Sequence, residues 1–73
     1  MKRFVLKFEM RNRTHPGQVV IDIVAENEQA ARELASHQDT ECPSNAWLDA
    51  AKTSCGSHRT RRKNREVLSV GRH

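Results

Sequence analysis

Apolar and polar residues alternate from residue 2 to residue 10, with Phe4, Leu6, Phe8 and Met10 falling on one side and Lys7 and Glu9 on the other. A period of two predicts a half-buried strand. Residues 19 to 25 repeat the pattern, Val19, Ile21 and Ile23 opposing Asp22. Between these runs, Pro16-Gly17 joins a residue with a preset φ to one that accepts positive φ, so the two strands are expected to fold back as an antiparallel hairpin. From residue 27 the period changes. Ala30, Ala31, Leu34 and Ala35 take helical spacing, Asn27 is a favoured N-cap, and Glu28 suits the positive end of a helix dipole. Small alanines would let this helix lie close against the apolar side of the hairpin.

The second half is less regular. Residues 36 to 46, with Asp39, Pro43, Ser44 and Asn45, read as a loop. Residues 46 to 55 fit two patterns: Trp47, Leu48, Ala51 and Cys55 form a helical stripe behind Ser44, whereas Thr53-Ser54-Cys55 can open a strand. The favoured reading is a short helical turn near Trp47 and then a strand from Thr53 onward. Residues 66 to 70 read as a last strand, with Val67 and Ser69 on one side and Leu68 and Val70 on the other. The expected architecture is a single α+β domain over residues 1–73. Its small antiparallel sheet holds the N-terminal hairpin plus one or two C-terminal strands, and one α-helix packs on one face. If both late strands form, the segment between them is the tip of a second hairpin; if residues 44 to 54 are a helix, it is a helix-to-strand linker.

Charge adds a second layer. The chain is not uniformly basic: residues 1–25 sum to +3, residues 26–49 to −5 and residues 50–73 to +6. The densest stretch is His58 to Arg65, where Arg59, Arg61, Arg62, Lys63 and Arg65 place five cations within seven residues. Such density calls for an anionic partner or open water. Lys7, Arg11 and Arg13, with Lys2 and Arg3, are expected to extend this patch across the sheet. Contacts to successive phosphates of double-stranded DNA or RNA suit such a patch. The one clear helix is acidic and alanine-rich, unlike a recognition helix, so nucleic-acid binding is expected to be electrostatic and weakly selective. Arg61, Arg62 and Arg65 are expected to carry most of it.

Other chemistry is thinly supported. A chain of 73 residues buries only about 60% of the surface its unfolded state exposes, leaving little room for an enzyme cleft. Three aromatic residues, Phe4, Phe8 and Trp47, do not make a base-stacking platform. Trp47 is expected in the core or as a lid on the sheet rather than as an exposed anchor. His37, Cys42, Cys55 and His58 offer four zinc-type ligands, but the cysteines are the distant members, unlike the tight pairs of a zinc finger. No metal or cofactor is therefore expected, and Cys42 and Cys55 default to free thiols, with a disulfide left as the alternative. No apolar run approaches the span of a bilayer and no signal-peptide pattern opens the chain, so a non-enzymatic protein of the cytoplasm, without a membrane partner, is expected.

The order of strand (residues 2–10), turn, strand (residues 18–26), helix (residues 27–35) and late strand resembles the small ββαβ proteins of phages and other mobile elements. The phrase Val24-Ala-Glu-Asn-Glu-Gln-Ala-Ala-Arg-Glu-Leu-Ala35 carries most of the likeness. Such proteins include anti-CRISPR inhibitors of type I surveillance complexes and phage inhibitors of host RNA polymerase. The resemblance covers residues 2–38. It implies a protein without an active site that occupies a host nucleoprotein complex, often through basic residues placed where nucleic acid would lie. The basic run lies outside the resembling segment, so no role is transferred to it. The sequence leaves the oligomeric state open.

Overall fold

The computed structural model describes residues 1–11, 14 and 16–72. β1 (Lys2–Met10) and β2 (Gly17–Ala25) form the expected hairpin, paired from Lys2 opposite Ala25 to Met10 opposite Gly17. The turn between them falls partly on Asn12, Arg13 and His15, which lie outside the described residues. Gly17 enters β2 with φ at 156°, a backbone region costly for any residue with a Cβ. The predicted alternation holds. Phe4, Leu6, Val19, Ile21, Ile23 and Ala25 are all buried on one face, while Lys7 and Glu9 are exposed on the other.

The helix α1 (Glu28–Ser36) packs on the apolar face. Its start follows the predicted chemistry: the Ala30 amide donates to Asn27 Oδ1 at 2.8 Å, satisfying one of the orphan N–H groups of the first turn. Ala31 and Ala35 are fully buried, so the backbone approaches the sheet closely. A single 3₁₀ turn (Ser44–Ala46) delivers Trp47 into the core with no exposed surface, its ring tilted 59° to Phe8 at a centroid distance of 6.4 Å. Trp47 Nε1 has no acceptor among the described residues. Leu48, on the expected helical stripe, instead projects into solvent.

The last two strands are β3 (Ser54–Arg59) and β4 (Glu66–Arg72). Both exist, but they do not pair. The sheet order is β3-β1-β2-β4, with every neighbouring pair antiparallel. The basic run is therefore not a hairpin tip; it crosses the end of the sheet from one edge to the other. The reason is that the hairpin offers two free edges of equal length, and each late strand takes one. The faces expected for β4 also need correction. A bulge leaves Leu68 without a register partner, so Val67 and Val70 face the helix side opposite Ile23 and Ile21, and Ser69 lies opposite Asp22 on the open face.

Among the described residues, one charged group is buried. Arg32, on α1, is only 7% exposed. Its Nε donates to Glu28 at 3.0 Å, Nη1 to the Trp47 carbonyl at 3.0 Å and to Thr53 Oγ1 at 2.6 Å, and Nη2 to the Thr53 carbonyl at 3.2 Å. Thr53 Oγ1 also lies 3.2 Å from the Ala46 carbonyl and 3.1 Å from that of Asp49, and its one proton goes to either. The guanidinium thus fastens the helix to the turn that precedes β3. Arg32→Ala leaves the Trp47 and Thr53 carbonyls without this donor in the interior and removes the hydrogen bond that the Thr53 hydroxyl accepts. It is expected to lower the unfolding free energy by about 3 kcal/mol, and Arg32→Lys is not expected to restore it, because an ammonium lacks the planar fork. Urea denaturation followed by Trp47 fluorescence checks both.

Candidate functional site

The crossover begins where β3 ends. Arg59 pairs in register with Lys2, at the N-terminal end of β1, and β4 restarts with Glu66 opposite Val24, near the C-terminal end of β2. Residues 60–65 therefore pass over a single pole of the sheet. Two arginines hold them there. Arg65 sends Nε (3.1 Å) and Nη2 to the two oxygens of Glu26, immediately before the helix cap, and Arg62 bonds Glu66 four residues on. The Arg62 amide also donates to Thr60 Oγ1 at 3.2 Å, a local turn within the run.

The remaining charges are free. Arg59, Arg61 and Lys63 are exposed, and their side chains make no ion pair or hydrogen bond among the described residues. Lys2, also exposed and unpaired, stands beside Arg59. The run that looks uniform in sequence thus divides into anchors (Arg62, Arg65) and presented cations (Arg59, Arg61, Lys63). The anchors cannot be expected to carry binding to the same extent, because their charge is already opposed by a carboxylate.

The other expected members of the patch are spread along β1. Lys7 lies opposite Ser54, five residues from Lys2, or about 17 Å at strand rise. Arg11 follows the last hairpin pair and lies about 30 Å from Lys2 by the same measure, loosely paired with Glu9 at 3.9 Å. Arg13 lies outside the described residues. Lys7 and Arg11, joined by Lys52, line a shallow groove of about 580 Å³ beside the start of β3. The expected single patch is therefore divided: Lys2 and Arg59 lie at one pole on the helix-bearing side of the sheet, while Lys7 projects from the open side toward the other end of a molecule 40 Å long and 20 Å wide. On the β2–β4 side four carboxylates are engaged, Asp22 by Arg3 at 2.8 Å, Glu26 by Arg65, Glu66 by Arg62 and Glu41 by Arg72 at 2.9 Å, while Asp39 on the same side makes no ion pair among the described residues.

The zinc set does not assemble. Cys55 faces the helix side opposite Leu6, His58 faces the open side opposite Arg3, and Cys42 is buried in the core. Among the described residues no three His, Cys, Asp or Glu side chains group to hold a metal. Burial pushes the Cys42 thiol up to about 11. Burial, reinforced by Glu28, also raises Cys55, so both free cysteines are held as thiols rather than as the thiolates that ligate metal or attack substrates.

The Arg65 anchor has a measurable signature. Hydrogen bonds from Arg65, followed by a backbone hydrogen bond and the guanidinium charge, hold the Glu26 carboxyl below its ordinary value. A lowered folded-state value means that the stabilisation is present above the unfolded carboxyl's titration and is lost as pH falls through the folded one. In carboxyl-detected NMR, Glu26 is expected to titrate below a typical glutamate and to move up toward it in Arg65→Gln.

Comparison with protein families, with characterised proteins and with solved structures finds no match to this chain, so its function rests on the geometry above.

Proposed function

We propose that this chain is a non-enzymatic binding module that lays its free cations along the phosphate backbone of nucleic acid within a host nucleic-acid-handling complex, and acts by occupying that complex. The observation that carries this reading is the unpaired set Lys2, Arg59, Arg61 and Lys63, gathered on one pole by a crossover that Arg62 and Arg65 tie down. A fastened backbone with free guanidinium groups suits a repeating anionic ligand, because contacts form without first ordering the loop. The Lys7–Lys52–Arg11 groove is a second, separate cationic site toward the other end of β1.

Base reading has little support. Phe4 and Trp47 are buried and Phe8 is half-buried, so no Phe or Trp ring is fully exposed to stack on a base. The exposed side of the nine-residue helix presents Glu28 and Glu33, carboxylates that phosphate would repel. The mode is therefore backbone contact with weak sequence preference. An anti-CRISPR role is the most concrete version of this reading, with nucleic acid held by a surveillance complex as the target.

Fluorescence anisotropy with a labelled random-sequence duplex, from about 50 to 200 mM salt, tests the direct contact. Three or four neutralised phosphates give a slope of log K against log salt of about −3. Replacing Arg59, Arg61 and Lys63 together by Gln is expected to remove most of this binding without changing the circular dichroism spectrum, and Lys52→Gln to reduce it slightly. Absence of binding at the lowest salt overturns the phosphate reading and directs the search to an acidic protein surface of the host complex.

A further inference from the structure

We propose that the groove between the end of β1 and the turn before β3 docks an extended acidic segment of a partner protein, which adds itself as a short strand beside Phe8–Met10. This site is distinct from the basic pole, and it gives the chain a protein contact of its own.

The groove exists because two neighbouring strands differ in length. β1 runs from Lys2 to Met10, but β3 pairs with it only from Lys2 to Lys7. Before Ser54 the chain leaves the sheet, since Thr53 is buried and its hydroxyl and carbonyl are held by Arg32 of the helix. On the flank that β3 vacates, the backbone of Phe8 to Met10 meets no strand and makes no hydrogen bond among the described residues. An unpaired strand segment is a template for another chain. The recess beside it is about 580 Å³, with Lys7, Phe8 and Arg11 on one wall and Ala50, Ala51 and Lys52 on the other.

Charge decides the occupant. Lys7 and Lys52 are exposed and make no ion pair among the described residues, and Arg11 reaches Glu9 only at 3.9 Å. The free charge is positive, so the occupant is anionic. A second copy of this segment does not fit: laid antiparallel about Glu9, it sets Lys7 against Arg11 twice and Glu9 against itself. Glu9 also turns the groove against nucleic acid. It shares the open side of β1 with Lys7 and stands between Lys7 and Arg11, so a backbone charged at every step meets a carboxylate midway. Nor does a phosphate chain offer the alternating N–H and C=O that an unpaired strand can bond.

A peptide satisfies both demands. Residues four apart in an extended chain lie on one side, about 13 Å from each other, and Lys7 and Arg11 are four apart along their own chain. Two carboxylates at that spacing, with a neutral residue between them, oppose both cations and spare Glu9. The alternate positions point the other way, toward half-buried Phe8 and exposed Ala50 and Ala51, and suit small apolar side chains. The preferred order is therefore acidic, apolar, neutral, apolar, acidic, with Lys52 adding a third cation from the facing wall. So short a strand makes a weak contact, loosened by salt.

Titration of the isotope-labelled full chain with the peptide Gly-Asp-Val-Ser-Val-Asp-Gly, followed by amide chemical shifts without nucleic acid, tests this separately from the phosphate contact. The amides of Phe8, Glu9 and Met10 are expected to shift saturably, and those of Arg61 and Lys63 to stay in place. Exchanging the central serine for aspartate makes the peptide more anionic, yet is expected to weaken binding about threefold, because that carboxylate meets Glu9; Glu9→Gln is expected to remove the penalty. Lys7→Glu is expected to weaken binding about tenfold, and replacing one peptide aspartate by lysine to recover it. Lys52→Glu, on the opposite wall and outside any strand, is expected to weaken it as well. Unmoved Phe8–Met10 amides at millimolar peptide overturn the proposal, as does tighter binding of the peptide with three aspartates. A random-sequence duplex that shifts these amides at lower concentration than the peptide also overturns it and assigns the groove to phosphate.

Discussion

The buried guanidinium of Arg32 is the constraint on which the second half of the molecule depends. A helix and a hairpin can meet through alanines and branched side chains without any polar pin, and α1 does meet β1 and β2 in that way. The segment from the 3₁₀ turn to Thr53 has few such contacts apart from Ala46 and Trp47. Arg32 supplies what that segment lacks by donating to the carbonyls of Trp47 and Thr53 and to the Thr53 hydroxyl. Thr53 is the last residue before β3, so fixing it sets the level at which Ser54 meets Lys7 and Arg59 meets Lys2. The position of the crossover, and of the cations on it, follows from that register. A charge buried on the helix thus places charges exposed at the far pole.

The hairpin and the helix were legible because their information is local. A period of two over nine residues and an Asn cap each act within a few positions, and the structure reproduces them nearly residue for residue. Strand order was not legible. Each late strand could satisfy its backbone against either edge of the hairpin or against the other, and nothing in Ser54–Arg59 or Glu66–Arg72 encodes that choice locally. The bulge at Leu68 was hidden for a related reason, since a one-residue slip exchanges the faces of Ser69 and Val70 while leaving the composition unchanged. Arg32 went unmarked in the helical pattern; the signal available was Glu28 one turn before it, which marks a pair but not its burial.

The site shows the same division. The cluster at residues 59–65 is evident from composition, but the partition into anchors and free cations depends on Glu26, thirty-nine residues from Arg65 in sequence. Lys2 and Arg59 become neighbours only through the pairing of β1 with β3. Lys7 and Arg11, placed in the same patch by strand alternation alone, lie toward the other end because the basic run closes over the N-terminal pole of β1. Lys52 went unmarked because a lone lysine in an irregular segment carries no pattern, and it gains meaning only beside the groove.

The crossover is also short for what it spans. From β3 to β4 the sheet is three strand spacings wide, about 14 Å, and the seven links from Arg59 to Glu66 reach about 24 Å when fully extended. The difference is about 10 Å, part of which is taken up in climbing over the strand ends. With Arg62 and Arg65 also tied to carboxylates, this tether samples fewer shapes than a free loop of its length, so the spacing of Arg59, Arg61 and Lys63 varies within a narrower range. Shape selectivity among polyanions, favouring those whose charge spacing matches a restrained comb of cations, then arises from chain length rather than from any base-reading side chain.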